Sequence, residues 1–579
     1  MKKSTKNLAL IVFLLGIFMG AIDTGIVSPA RTIISEGFSI SSNLSVWMIT
    51  LYSLAYAVSM PISAKISDRF GRRKIYTISI SIFAFGSLLC GIAGFVGTYS
   101  FFLTARLIQA IGGGGIMPIA TAYIGESFPP EKRGSALGAV GSIFGIATVL
   151  GPTLGSTIIN LAGAKNWGLL FFINLPISII LASKIYEEKI ERVYKKMDLR
   201  GSIIITVMIL SLMYALTNLN FFQFYASIRK LDVLPFLLIF VITIPVFIHI
   251  EKKADDPVMN LNFFTDRNIR TTLILSFIVG CGMMGVIFLP QFGENILKIK
   301  LGSGGYIVTL MAIFSGVAAP LGGIFIDKYG AKIVLLIGFT CTIIGSLTLA
   351  FYTANNPSFA SLLIGLIFIG LGMVFTMGTP INYLMMNFTK KEDASVGQST
   401  VSLIRSIGLT ISPNILIGFI SQAGLEVQTK LFITVNKLAP QIQGMPNNTS
   451  VLGNGSISGN VSTTSINKLQ AADVTTIADT VKVFMDGILT TSMPGIKQGI
   501  TKAIGNSPAA AKIDVNAMLS AWQKEYIVAI EKSRSVLENL FQSTMNTGFS
   551  KLFIGTAFIA CFGVIFTLTL KSESHKMQG

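Results

Sequence analysis

Fourteen long apolar runs constrain the fold of this 579-residue chain more than any other feature. Each is about 20 residues long, the length of α-helix that crosses the roughly 30 Å hydrocarbon core of a bilayer. Inside lipid the backbone must satisfy its own hydrogen bonds, so such runs predict transmembrane helices. The sequence therefore predicts an all-α polytopic membrane protein with about 14 transmembrane helices. The runs lie near residues 8–28, 45–66, 75–95, 100–123, 134–158, 167–187, 200–221, 232–250, 269–291, 304–326, 332–353, 359–386, 395–420 and 549–570.

Composition and charge agree with this class of protein. Hydrophobic residues make up 51% of the chain and charged residues only 12%, whereas soluble domains carry about 25% charged residues. The net charge of +18 comes largely from alternate connections between the runs, such as 69–74, 132–133 and 390–391, as expected of cytoplasmic loops. We therefore predict a plasma-membrane protein with both termini in the cytoplasm, surrounded by lipid and without a nucleic-acid partner.

Residues that usually carry catalysis or bind metals are scarce. The four cysteines lie inside apolar runs without a CxxC or Cys/His spacing, and the two histidines are isolated. Nucleotide-binding motifs are also absent from the sequence. We therefore expect no metal, no cofactor and no enzymatic activity.

An internal repeat indicates how the runs are organised. Residues 64–73 and 323–332 share the pattern small-x-x-x-Asp-basic-aromatic-Gly-x-basic. This spacing predicts two six-helix halves related by a repeat, with a helix pair inserted between them. The predicted domains are the first bundle, the inserted pair, the second bundle, an extracellular insert, and the last span with its tail. Their ranges are 1–195, 196–256, 257–420, 421–548 and 549–579.

The stretch 421–548 is polar compared with the rest of the chain. Residues 447–465 are rich in Gly, Asn, Ser and Thr, a composition typical of flexible loops, whereas 466–490 and 508–542 show helical apolar spacing. The charge alternation places this stretch outside the cell. We predict a small helical extracellular insert whose last helix continues into the final span, and which contacts an extracellular partner.

The two copies of the repeat are candidate conformational latches. A carboxylate at a helix end interacts with backbone N–H groups or helix dipoles, and glycine permits a tight corner between helices. The alternative is a loop whose positive charge only fixes membrane orientation. The predicted latch residues are Asp68, Arg69, Gly71, Arg72, Arg73, Asp327 and Gly330.

Small residues along the fifth run form a second motif. Steps of three and four residues place them on one helical face, where they allow neighbouring membrane helices to approach closely. The motif predicts a packing surface that also serves movement between the halves. It comprises Gly141, Gly145, Gly151, Pro152 and Gly155.

Ionisable groups inside membrane spans are candidates for proton or substrate binding. Asp23 lies about fifteen residues into the first run, roughly 22 Å along a helix. Arg106 and Gln109 lie in the fourth run, Glu294 near the end of the ninth, and Arg405 in the thirteenth. We predict that Asp23 carries protons or contacts substrate, assisted by Glu294 and adjusted by Arg106. The alternative for Asp23 is a fixed ion pair with Arg106.

With these motifs the chain resembles the major facilitator superfamily, and within it the fourteen-span drug:proton antiporter branch. The resemblance covers everything except the insert and rests on the repeat together with further motifs in a fixed order. These are Trp47-x-x-Thr50-x-Tyr52, Arg106-x-x-Gln109, Gly151-Pro152-x-x-Gly155, the stretch from Trp167 through Asn174 to Pro176, Asp255-Asp256-Pro257, and Leu289-Pro290-Gln291. The chain departs from the family pattern at Ser28, Ala64, Ala110 and Ser156.

The resemblance implies a monomeric transporter that works by alternating access. We expect it to export amphipathic or hydrophobic small molecules, cationic ones in particular, against an inward flow of protons. One alternative is an exporter of lipid or another cell-envelope component that uses the insert. A second is a membrane sensor that transports nothing.

Overall fold

The computed structural model describes residues 3–40, 44, 47–184, 198–254, 257–299, 305–377, 379–390, 393–438, 520, 524–525, 528–529 and 531–570. The regular structure of this part of the chain is helical, as predicted. The principal helices are α1 (Lys3–Gly37), α2 (Trp47–Phe70), α3 (Arg72–Val96), α4 (Tyr99–Ser127), α5 (Pro130–Ala162), α6 (Asn174–Lys184), α7 (Leu199–Asn218), α8 (Leu234–Lys253), α9 (Arg267–Met283), α10 (Gly305–Tyr329), α11 (Ala331–Leu347), α12 (Phe359–Met377), α13 (Ala394–Leu438) and α14 (Arg534–Thr569).

Twelve helices in the described ranges are long and apolar enough to cross a membrane. They comprise all the numbered helices except α5 and α6. The shorter apolar segment Leu150–Ile159 lies in α5, and a second one, Leu169–Leu181, begins before α6 and ends inside it. The prediction of a many-spanning all-helical membrane protein is therefore confirmed. The count of fourteen spans stays a prediction.

Both copies of the sequence repeat form the same corner between two helices. Gly71 joins α2 to α3 with φ of 99°, and Gly330 joins α10 to α11 with φ of 82°. Each glycine N–H donates to the carbonyl four residues earlier, over 3.0 Å and 2.9 Å. Positive φ is strained for residues with a Cβ atom. The glycine of the motif is therefore required by the backbone at both corners.

The helices pack as two bundles with their own apolar cores. Phe13, Tyr76 and Phe83 belong to the core of α1 and α3 to α5, and Phe292 and Phe549 belong to that of the second bundle. Between the bundles, α5 packs on α10, and α13 packs on α2 and α4. Movement of one half against the other would therefore occur at these helices.

The pair α7–α8 lies against the seam between the halves. Ile205 and Ile209 of α7 pack with Leu54 and Ala57 of α2 and with Leu403 of α13. The inserted pair thus contacts both bundles instead of standing apart from them.

Helices α13 and α14 continue beyond the boundaries predicted at residues 420 and 549. At 45 residues, α13 is roughly 68 Å long at about 1.5 Å per residue, far longer than a bilayer core. Apolar residues at helical spacing hold the two extensions together: Ile420, Ala423, Val427 and Leu431 from α13, with Leu537, Phe541 and Met545 from α14. The predicted continuation of the insert's last helix into the final span agrees with α14. Residues 439–519 of the insert lie outside the described ranges.

Candidate functional site

The carboxylate of Asp23 lies at the centre of the first bundle and is fully buried. Its Oδ2 accepts a hydrogen bond from Arg106 Nη1 at 2.9 Å. Its Oδ1 accepts from Gln109 Nε2 at 2.7 Å and from Asn174 Nδ2 at 3.0 Å. Helices α4 and α6 therefore supply three donors to one carboxylate of α1, a donor set that suits its ionised form.

A second layer of contacts positions these donors. Arg106 Nη1 also donates to Gln109 Oε1 at 2.6 Å, and its guanidinium lies 3.9 Å from the centre of the Tyr52 ring on α2. Ser87 Oγ of α3 accepts from Gln109 Nε2 at 2.8 Å and from Asn174 Nδ2 at 3.2 Å. We call Asp23, Ser87, Arg106, Gln109 and Asn174 the buried polar network. Because its partners come from four helices, any change in their packing changes the ion pair.

The structure thus brings together three of the four predicted coupling residues, Asp23, Arg106 and Gln109. The first two form a buried ion pair. Burying an ion pair costs desolvation energy that only good geometry and further hydrogen bonds offset, and the network supplies both. Glu294 lies in the second bundle, on the short helix Leu289–Ile296, and is not among the polar partners of Asp23 in the described structure. The proposed roles of all four residues stay predictions.

Close packing of α3 on α4 holds Gln109 in place. A Cβ atom added at Gly86 would lie 2.3 Å from the backbone N of Gln109, and one added at Gly112 would lie 2.3 Å from that of Phe83. Neither position has room for a methyl group. The two glycines therefore set how closely α3 and α4 approach.

We expect Gly86→Ala to destabilise the protein and displace Gln109. Overpacking a tight contact costs about 1–3 kcal/mol, more than the roughly 1 kcal/mol gained from better helix propensity. The matched control is Gly20→Ala in α1, where no described atom lies within 4 Å of the added Cβ. Thermal unfolding in detergent should show a lower Tm for the Gly86 variant only, and an equal Tm for both would contradict this packing.

The first latch motif reaches across to the second bundle. In the last turn of α2, Asp68 Oδ1 pairs with Arg72 Nη2 at 3.0 Å. Arg72 Nε donates to Ser395 Oγ at 2.7 Å, at the start of α13. The guanidinium thus bridges a carboxylate of its own half and a hydroxyl of the other.

The second motif makes the reciprocal contact. Asp327, near the end of α10, accepts hydrogen bonds from the backbone N (3.0 Å) and the hydroxyl of Ser135, at the start of α5. In each half, then, the motif after the second helix touches the start of the fifth helix of the opposite half. The halves are joined on this side of the molecule by two contacts related by the repeat.

The remaining motif residues have local contacts. Arg69 lies over the ring of Phe70. Arg73 is buried and its guanidinium donates to the Tyr123 hydroxyl. Both of these contacts lie within the first bundle.

The small-residue motif of α5 faces two neighbours. A Cβ added at Gly151 would lie 2.9 Å from the Ile22 carbonyl of α1, next to Asp23. Nearby, the hydroxyls of Thr153 and Thr309 on α10 are 2.8 Å apart. Helix α5 therefore lies between α1, next to Asp23, and α10 of the second bundle. Pro152 lies inside this helix, with Gly141 partly buried and Gly155 buried. The surroundings of Gly145 lie outside the described part of the structure.

Sequence reasoning missed part of this site. Ser87 carries no signal, because an uncharged polar residue in an apolar run is common. Asn174 belongs to the stretch from Trp167 to Pro176, whose pattern indicates no role for its side chain. The sequence predicts that Arg405 is a charge inside a span, and the structure shows it buried in α13.

Comparison with known families identifies the chain. Residues 13–413 match the family model described as Major Facilitator Superfamily. The chain belongs to the major facilitator superfamily. It is 35% identical over 443 residues to the uncharacterized MFS-type transporter YfiU of Bacillus subtilis (strain 168), covering 74% of this chain and 83% of that protein. It is also 32% identical over 448 residues to Multidrug resistance protein 3 of the same organism, covering 77% and 83%.

A solved transporter structure shares the fold. The human organic anion transporter MFSD10 (TETRAN) superposes with a TM-score of 0.53 over 71% of this chain and 93% of its own, at 13% identity. Such low identity shows the fold alone. Together with the apolar helices, membership of the superfamily makes this chain a multi-pass membrane transporter of the secondary type.

Proposed function

We propose that this transporter exports amphipathic or hydrophobic small molecules by alternating access, coupled to inward proton movement. The observation that carries the proposal is the buried Asp23–Arg106 pair, since an ionisable pair inside a membrane transporter is a candidate proton relay. The multidrug name of the Bacillus subtilis relative, at 32% identity over most of both chains, supports the substrate class. We assign the chain to the fourteen-span drug:proton antiporter branch.

In the proposed cycle, Asp23 alternates between two partners. In the state described, it pairs with Arg106 at 2.9 Å. Rearrangement of the halves would draw Arg106 away, and the buried carboxylate would then take up a proton because an isolated charge is costly there. A cationic substrate, expected from the sequence, would compete with Arg106 for Asp23. Glu294 would assist from the second half.

The cross-half contacts of Asp68 and Asp327 would stabilise the state that is closed on the motif side. The remaining latch residues shape the corners and contacts around them, and the small face of α5 would provide a surface for rocking. We propose that the protein works as a monomer in the plasma membrane, with cytoplasmic termini and with residues 421–548 available to an extracellular partner.

The proposed topology places the motif side in the cytoplasm. In a chain whose four native cysteines are replaced, we expect cysteines at Lys74 and Lys390 to react only from the cytoplasmic side with an impermeant thiol reagent. Cysteines at Asn356 and Ser450 should react only from outside. The charge distribution requires this because positive loops stay in the cytoplasm. Labelling of position 450 from the cytoplasm alone would overturn the arrangement.

Dye accumulation in whole cells tests the function. In bacteria lacking their main drug-efflux pumps, the transporter should lower accumulation of amphipathic dyes, and a protonophore should restore it. Unchanged accumulation across cationic, zwitterionic, neutral and anionic dyes would argue against the proposal. Deleting residues 440–519 separates the alternatives: a drug exporter should keep export, an envelope exporter should lose it, and a sensor should show none in either form.

A further inference from the structure

A second buried guanidinium lies in the opposite half of the protein. Arg405 of α13 is only 5% exposed. It follows the start of α13 at Ala394 by eleven residues, or roughly 16 Å along the helix, which places it near the middle of a bilayer. Arg405 and Arg106 are therefore both arginines of the membrane interior.

The two arginines differ in their partners. Arg106 faces the Asp23 carboxylate. For Arg405 the described structure provides one hydrogen bond, from Nη2 to Asn382 Oδ1 at 3.3 Å, and no ion pair, while its Nε has no hydrogen-bond partner. Removing one partner from a buried ion pair is costly because the remaining charge is uncompensated. In the described structure, the buried positive charge of Arg405 is uncompensated in the same way.

Polar groups around Arg405 come from both halves of the molecule. Gln398 is buried, donates to the Asn382 carbonyl at 2.9 Å, and leaves its Oε1 without a partner in the described ranges. From the first half, α2 packs on α13 at Leu54 and Ala57, which share an apolar cluster with Leu403. Tyr56 is next to Ala57 in this part of α2. Its ring stacks on Tyr52, with centroids 5.9 Å apart, and Tyr52 in turn covers Arg106. The Arg405 environment therefore lies at the seam between the halves and is linked to the buried polar network by two tyrosines.

We infer that Arg405, with Tyr56 and Asn382, binds an anionic group of the transported molecule, such as a carboxylate or phosphate. This assignment rests on the proposed transport function and refines its substrate class to amphipathic zwitterions, whose cationic group would face Asp23 and whose anionic group would face Arg405. The guanidinium offers a forked donor set that matches carboxylate and phosphate oxygens. Among the described groups, Arg106 is neutralised by Asp23 and Arg405 is not, so a bound anion completes the charge balance of the central region.

The position also links binding to the transport cycle. Tyr56 belongs to the first half, and Arg405 and Asn382 belong to the second. A site shared in this way is complete only when the halves are close. An anion therefore binds this closed state more tightly than a state with separated halves, and its binding raises the population of the closed state.

A matched pair of dyes tests the inference. Tetramethylrhodamine and its methyl ester share one ring system, but only the free acid carries a carboxylate. In nanodiscs of neutral lipid, we expect the unaltered transporter to bind the free acid with a Kd at least about tenfold lower, about 1.4 kcal/mol, by fluorescence anisotropy. Arg405→Gln should remove the difference by weakening the acid only, and Arg405→Lys should keep part of it.

The control is Arg270→Gln, which removes a positive charge from an exposed position of α9 and should leave the preference unchanged. Equal binding of acid and ester by the unaltered chain would overturn the site, as would a preference that survives in Arg405→Gln. Millimolar inorganic phosphate should compete with the acid and leave binding of the ester unchanged, and equal competition with both dyes would overturn the site. These measurements use no gradient, so their failure leaves proton-driven export untouched, and failure of export leaves the binding result standing.

Discussion

Replacing Asp23 by asparagine is expected to abolish export driven by a pH gradient. The amide keeps the shape of the side chain and its contacts with Gln109 and Asn174, but it cannot exchange a proton. Exchange of labelled for unlabelled substrate needs no net proton movement and should persist. Both activities can be measured in proteoliposomes that contain the purified transporter.

Stability must be separated from coupling in this variant. Asp23→Asn leaves Arg106 buried without its carboxylate, and breaking a buried pair costs about 3–5 kcal/mol. The matched control is the double variant Asp23→Asn with Arg106→Gln, which removes both charges together. We expect the double variant to recover Tm without recovering pH-driven export. Full pH-driven export by Asp23→Asn would show that Asp23 is not the proton carrier and would make Glu294 the leading candidate.

Asp68→Asn is expected to lower transport by about tenfold or more, with normal abundance in the membrane. Asp68 holds Arg72 at 3.0 Å, and Arg72 contacts Ser395 of the second half at 2.7 Å. Loss of the carboxylate charge weakens this bridge, and a shift of about 1.4 kcal/mol in the equilibrium between states accounts for a tenfold effect. Transport rate and membrane abundance are measured on the same cells.

The repeat provides a second test of the same latch. Asp327→Asn removes the charge that strengthens the reciprocal contact with Ser135 and should also reduce transport. Asp232→Asn is the control, because Asp232 is exposed in the connection between α7 and α8. Normal transport by both latch variants would reduce the repeat to a signal for membrane orientation.

The helical spans and the corners of the fold were predictable because they depend on local properties. Apolar runs of sufficient length specify helices in lipid, and the glycines of the repeat specify the corners at Gly71 and Gly330. The pairing of Asp23 with Arg106 was foreseen as an alternative, since a charge inside a membrane helix seeks an opposite charge.

The partners of these residues could not be predicted in the same way. Ser87, Ser135 and Ser395 are small hydroxyl residues in runs where serine is frequent, and only the packing of distant helices brings them to the site. The end of α13 was also missed. Hydropathy marks where a helix leaves the lipid, whereas the apolar stripe from Ile420 to Leu431 continues the helix beyond that point.

Proton movement driven by substrate is the most direct test of the proposed coupling. Proteoliposomes that contain the purified transporter and a trapped pH-sensitive dye would first be screened for a transported amphipathic dye. With no imposed gradient of pH or potential, a gradient of that substrate should then drive protons in the opposite direction. The signal should be absent from empty liposomes and from Asp23→Asn. Substrate transport by the unaltered protein without any pH change would contradict proton-coupled export.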